Sequence, residues 1–159
     1  KAFCKSNDGS AYIYLKDKSD VRTRERVKAL LHSLSINKEN GIEFVLDGVE
    51  AGLRGADEQA DFMLEANQGF YFTEHLDGES IDVITAEDVK AGKYTCATHG
   101  YSPEKEDYST IFIAKGKGIK PNVEIESMKL IDEGPTFARL LGLDLGQTDG
   151  KVVKEFLEY

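Results

Sequence analysis

The sequence predicts an α/β fold: a mixed sheet with helices packed on it, in one compact unit spanning 1–159. Three observations lead there. β-Branched and aromatic runs at 11–16, 42–46 and 109–114 read as strands. Apolar residues recur at helical spacing over 20–35 and again after Asp132. No internal repeat, low-complexity tract or Pro-rich linker divides the chain. Its 159 residues suit one domain that can bury most of its apolar surface without disulfides or metal staples.

Asn7-Asp8-Gly9-Ser10 is a turn cluster, and Ala11-Tyr12-Ile13-Tyr14-Leu15-Lys16 after it is a strand. Asp17 to Asp20 breaks that strand and offers an N-cap. In the helix after it, Val27, Leu30, Leu31 and Leu34 form the stripe expected to be buried, and Arg22, Arg24, Glu25, Arg26 and Lys28 a solvated face. After the strand at 42–46, Asp47 and Glu50 have capping-box spacing, which predicts a short helix over 48–53. Phe62–Ala66 and Phe70–Thr73 flank Asn67-Gln68-Gly69 and suggest a hairpin. Residues 76–93 are acidic and irregular, with room for one short element. Tyr94–Ala97 is a short strand candidate, and Ser109–Ala114 the most strand-like stretch of all. Asp132 then caps a helix stopped at Gly142, and 151–157 makes a last amphipathic turn. The neighbouring strand and helix predict Phe137, Leu140 and Leu141 buried against Ile111 and Ile113.

The charge balance excludes some partners. With 29 Asp and Glu against 20 Lys and Arg, the net charge is −9 and the pI about 4.9. A nucleic acid polymer or an anionic membrane surface calls for a basic face. No apolar run is long enough to span a membrane, and the first residues carry no signal-like apolar core. The low Cys count and that lack of signal lean toward the cytoplasm. Cys4 and Cys96 are read as unlinked. The chain does not open on Met, so a processed product or a piece of something longer is expected.

Among the motifs, Lys115-Gly116-Lys117-Gly118 lacks both the P-loop ending and a capped helix directly after it, and reads as a Gly-rich turn with solvated lysines. No Cys pair has metal-finger spacing and no Gly-x-Ser-x-Gly elbow is present. Of three His, His32 falls opposite the leucine stripe and His75 has no evident partner. His99 differs, standing before Gly100 at a strand-to-loop exit, where α/β proteins place ligands. There a neutral imidazole could ligate zinc.

Thr98-His99-Gly100-Tyr101-Ser102-Pro103, then Tyr108 to Gly116, then Gly118-Ile119-Lys120, resembles the alkaline phosphatase superfamily, in its type I phosphodiesterase/nucleotide pyrophosphatase group. Asp132 to Leu143, with its Pro135-Thr136 and Leu140-Leu141-Gly142-Leu143, is similar to a late helix of that group, and Asp149-Gly150-Lys151 to its closing segment. Asn7 to Leu15 resembles the start of the group's C-terminal portion. The likeness covers most of the chain and is strongest over 95–151.

The resemblance implies two zinc-type ions flanking a Thr or Ser nucleophile, with His99 as the last ligand in chain order. The group's other ligands and its nucleophile have no counterpart here. The three His come after Leu31, Glu74 and Thr98, so no Asp-His pair occurs, and Lys28, Tyr71 and Thr95 stand four residues before them. The expectation is therefore the C-terminal portion of a larger hydrolase of phosphate esters, inactive alone and holding zinc weakly if at all. Residues 1–18 and 95–159 would belong to its core and 19–94 to an inserted subdomain. Self-association through the surface otherwise covered by the N-terminal part is expected. Two alternatives stay open: a stand-alone, non-catalytic binding or interaction module and, within the enzyme class, a phosphatase, sulfatase or phosphonate hydrolase.

Overall fold

β1 (Ala2–Asn7) and β2 (Ser10–Leu15) form a hairpin about Asp8-Gly9 in the computed structural model, which describes residues 1–158. The turn cluster read from the sequence is this hairpin's turn. β1 goes beyond the strands the sequence predicts, because Lys and Ser among its larger residues weaken the strand signal. Helix α1 (Val21–Ile36) is capped by the Asp20 carboxylate, which accepts the Thr23 N–H. It leads through a 3₁₀ turn (Lys38–Asn40) into β3 (Ile42–Asp47). Asp47 and Glu50 make the expected capping box at α2 (Gly48–Leu53), after which β4 (Phe62–Ala66) enters the sheet. The short α3 (Ala86–Lys90) carries a second capping box, between Thr85 and Asp88.

The sheet order is β1-β2-β4-β3, and every pairing is antiparallel, in place of the mixed sheet expected. The reason is topological. The α1 crossover returns β3 parallel to β2 but leaves a gap one strand wide, and β4 fills it antiparallel to both. Strands from 1–18 and from 19–94 thus share one sheet. On one face, Ala11, Ile13, Leu15, Ile42, Phe62 and Leu64 pack with Leu31 and Val27 of α1. On the other, Leu46 and Met63 pack with Ala51 of α2. The α/β class therefore holds, as helices on a small antiparallel sheet.

Several local expectations are corrected. Phe70–Thr73 is not a strand: β4, its expected hairpin partner, already has partners on both edges. Phe72 instead donates one N–H to the Asp8 carbonyl at 2.7 Å and packs on the α1-side core. Tyr94–Ala97 and Ser109–Ala114 also form no strand, since β-propensity without a partner edge closes no ladder. On α1, Leu31 is buried but Leu30 and Leu34 are exposed, so only part of the predicted stripe meets the sheet.

Contacts divide the chain after Ser109. From Thr110 onward, a 3₁₀ turn (Leu130–Asp132) leads into α4 (Glu133–Leu141), which stops at Gly142 in the left-handed conformation. Asp132 precedes the helix but does not cap it: its carboxylate accepts the Lys151 N–H instead. Ile111 and Ile113 are 87% exposed, and Phe137 and Leu141 are exposed too, so the predicted strand–helix core is replaced by another. Phe112 stacks on Phe137 and meets Phe156, beside buried Val153 and Leu157. Residues 151–157 are not helical; Leu157 bridges to Ile119, and buried Thr136 accepts the Val153 N–H.

Leu31→Ala should lower stability by about 2–5 kcal/mol, and Leu30→Ala by less than about 0.5 kcal/mol. Urea denaturation of both variants checks this; a larger loss at Leu30 would mean that α1 presents its other face to the sheet.

Candidate functional site

His99 lies in a segment, 98–108, that is neither helix nor strand. Backbone groups there have no ladder of their own, so its position rests on bonds to other elements. The Gly9 N–H donates to the His99 carbonyl at 2.8 Å, and Thr98 Oγ1 donates to Asp8 Oδ2 at 2.5 Å. Gly100 has φ 84°, and a Cβ there would run into the Asn7 carbonyl. A Cβ on Gly9 would strike the Tyr101 ring. Both glycines are needed for the segment to seat on the β1–β2 turn.

The segment then crosses to β4. The Ser102 N–H donates to Glu65 Oε1 at 2.7 Å, and Lys105 Nζ lies 3.5 Å from the same oxygen while pairing with Glu43 of β3. Tyr108 accepts the Gly100 N–H, and Tyr101 donates to the Phe70 carbonyl. Glu65 is fully buried, and burial raises its carboxyl above the ordinary range against the pull of Ser102 and Lys105. For Lys105, burial opposes the ammonium, but the bond to Glu43 and the two carboxylate charges override it and lift its pKa.

The His99 ring is mostly exposed, with Nε2 3.6 Å from Asp8 Oδ2. Asp8 is the one carboxylate within ion-pair range of it among the described residues. No group of three or more potential metal ligands occurs among those residues. His32 is exposed on α1, and the His75 ring lies 6.0 Å from that of Tyr94. The Gly116–Gly118 turn is tied down, with the Lys120 N–H on the Phe156 carbonyl and the Glu158 N–H on the Gly118 carbonyl. Cys4 and Cys96 are both free.

A cleft of about 530 Å³ lies beside α2, lined by Lys18, Arg24, Gly48, Leu53 and Asp61 among others. Its charges answer one another: Arg24 pairs with Asp61, and Lys18 donates to the Gln59 carbonyl. The sequence singles out His99 but not Asp8, Glu65 or Lys105. The one signal for Glu65 is a charge inside the apolar run Phe62-Met63-Leu64-Glu65-Ala66. Comparison with protein-family models, with curated proteins and with solved structures gives no match. Among the described residues no helix is long and apolar enough to cross a membrane.

The raised pKa of Glu65 fixes a sign. A carboxyl whose pKa is higher in the folded state contributes stability below its unfolded value, and that contribution is lost as pH rises through the folded value. Glu65→Gln should therefore compare worst with the parent in acid and gain on it as pH rises from the ordinary carboxylate range to neutrality. Denaturant midpoints of both proteins across that range measure the slope; a stability gap that widens with pH would contradict it.

Proposed function

We propose that this chain is the C-terminal portion of a metal-dependent hydrolase of phosphate esters, of the phosphodiesterase/nucleotide pyrophosphatase type in the alkaline phosphatase superfamily, and that His99 is one of its metal ligands. One observation carries the reading. The two segments of unit 1 that resemble that group, Asn7–Leu15 and Thr98–Pro103, are far apart in sequence and are bonded to each other at Gly9 and His99, and at Asp8 and Thr98. The seating leaves the His99 imidazole free to face a ligand.

The donors fit part of a zinc site. Two donors on one tetrahedral zinc stand about 3.3 Å apart when each lies at the usual bond length. His99 Nε2 and Asp8 Oδ2 are 3.6 Å apart, so the pair suits two of four positions. Bound divalent ions would supply charge stabilisation at the phosphoryl oxygens. What this chain does is narrower. It holds an imidazole at the surface, fixes its backbone through the Gly9 N–H, and keeps a carboxylate beside it. In this reading 1–18 and 95–159 belong to the hydrolase core, and 19–94 is an insertion.

The test uses the longest product translated from the gene. His99→Ala should lower bis-p-nitrophenyl phosphate turnover by more than about a hundredfold, beyond what loss of a group that only orients a ligand costs, and should deplete zinc retained on dialysis. His32→Ala should change neither. The 159-residue chain alone should hold zinc loosely and turn over no ester. Normal zinc content and turnover after His99→Ala would end the assignment.

A further inference from the structure

β4 is an interior strand, and its Glu65 side chain is fully buried. An unpaired carboxylate in that position is expensive, and an apolar residue of like volume would pack the strand at lower cost. Stability of the sheet therefore gives no reason for a glutamate here. Its partners give one. Oε1 accepts the Ser102 N–H and has Lys105 Nζ at 3.5 Å, and both come from the segment that carries His99. Oε2 has no hydrogen-bond partner, so the compensation of this charge comes almost wholly through that segment.

Lys105 is committed on both sides. Its ammonium lies between Glu65 of β4 and Glu43 of β3, with its side chain mostly buried. Two strands of the sheet thus grip one residue of a segment without regular structure. Arg54 beside α2 holds the adjacent Glu104 at 2.8 Å, but in the open, where such a pair adds little. Ser102 lies three residues from His99 in the same segment.

We propose that Glu65 and Lys105 are positioning residues: their pairing across β4 and the 98–108 segment sets where the His99 imidazole stands. The inference deepens the metal-ligand reading only in its zinc arm. The latch itself rests on the Ser102 and Lys105 contacts to Glu65.

The experiment uses the ¹⁵N-labelled 159-residue chain, with Lys105→Met, Glu65→Gln and Lys105→Arg. Amide exchange is followed at Gly9 and Ser102, and ring signals at His99, with His32 as the internal reference. In the parent, the Ser102 amide should be protected. In Lys105→Met, exchange at Ser102 and Gly9 should speed up at least about tenfold as the segment opens locally. The His99 signal should move while that of His32 stays, and Lys105→Arg should restore part of both. Glu65→Gln, which keeps an oxygen acceptor, should loosen Ser102 less than Lys105→Met does. An unprotected Ser102 amide in the parent overturns the proposal even if no variant folds. So does a folded Lys105→Met with unchanged exchange and an unmoved His99.

Zinc chloride titration separates the two readings. The midpoint for the His99 signal should rise about tenfold in Lys105→Met, the scale on which loss of a supporting partner weakens a metal site. Equal midpoints in parent and variant would overturn the positioning role and leave the ligand role standing. A parent His99 indifferent to zinc, yet displaced in Lys105→Met, would support the latch and refute the ligand.

Discussion

Strand β4 is the constraint on which unit 1 depends. It lies between β2 and β3 with both edges bonded, and all five of its residues are buried. That single placement dictates the rest. β2 and β3 must run parallel with a gap between them, so α1 has to carry the chain across. β4 must come back antiparallel, so α2 and the loop after it must reverse direction over residues 48–61. With both edges of β4 taken, the residues just after it cannot pair back with it as a hairpin, and the Phe72 N–H bonds instead to the Asp8 carbonyl in the β1–β2 turn.

This explains which parts of the fold are legible in the sequence. The Asp20 cap, the Asp47/Glu50 box and the strands at 10–15 and 42–47 are legible because each depends on a few adjacent residues. The sequence misleads where the outcome depends on a distant partner. Ile111 and Ile113 have the composition of a strand, yet composition cannot supply a neighbouring edge, and both are exposed. Leu30 and Leu34 have helical spacing with Leu31, but a small sheet covers only a narrow stripe of α1. Asp132 has the look of an N-cap because its side chain can reach the helix; the Lys151 N–H, 19 residues on, takes the carboxylate instead.

For the candidate site, His99 is legible because an imidazole before a glycine at a loop entry is uncommon in this chain. Its setting is not. Asp8 belongs to a turn cluster that reads as a turn and nothing more, and it faces Thr98 and His99 only because β1 and β2 fold back on themselves. Gly9 and Gly100 read individually as turn residues. Together they are two places where backbone and ring approach too closely for a side chain. A glycine chosen for contact with a remote segment has the same letter as one chosen for a bend.

The two ends of β4 show one logic used twice. Asp61, just before the strand, is buried, accepts the Leu15 N–H at 2.7 Å and pairs with Arg24 of α1, which also covers the Phe62 ring. Glu65, near its other end, is buried, accepts the Ser102 N–H and pairs with Lys105 of the segment bearing His99. Each carboxylate takes one backbone N–H and one cation, and the cation comes from whatever covers that part of the sheet. An apolar surface accepts a covering element in many seats, because burial is non-directional. A buried carboxylate accepts it in the one where an N–H and a cation arrive together, since any other seat leaves the charge unpaired. In this chain carboxylates outnumber cations, with 29 Asp and Glu against 20 Lys and Arg. Arg24 and Lys105 then become the residues that decide how α1 and the 98–108 segment lie on unit 1.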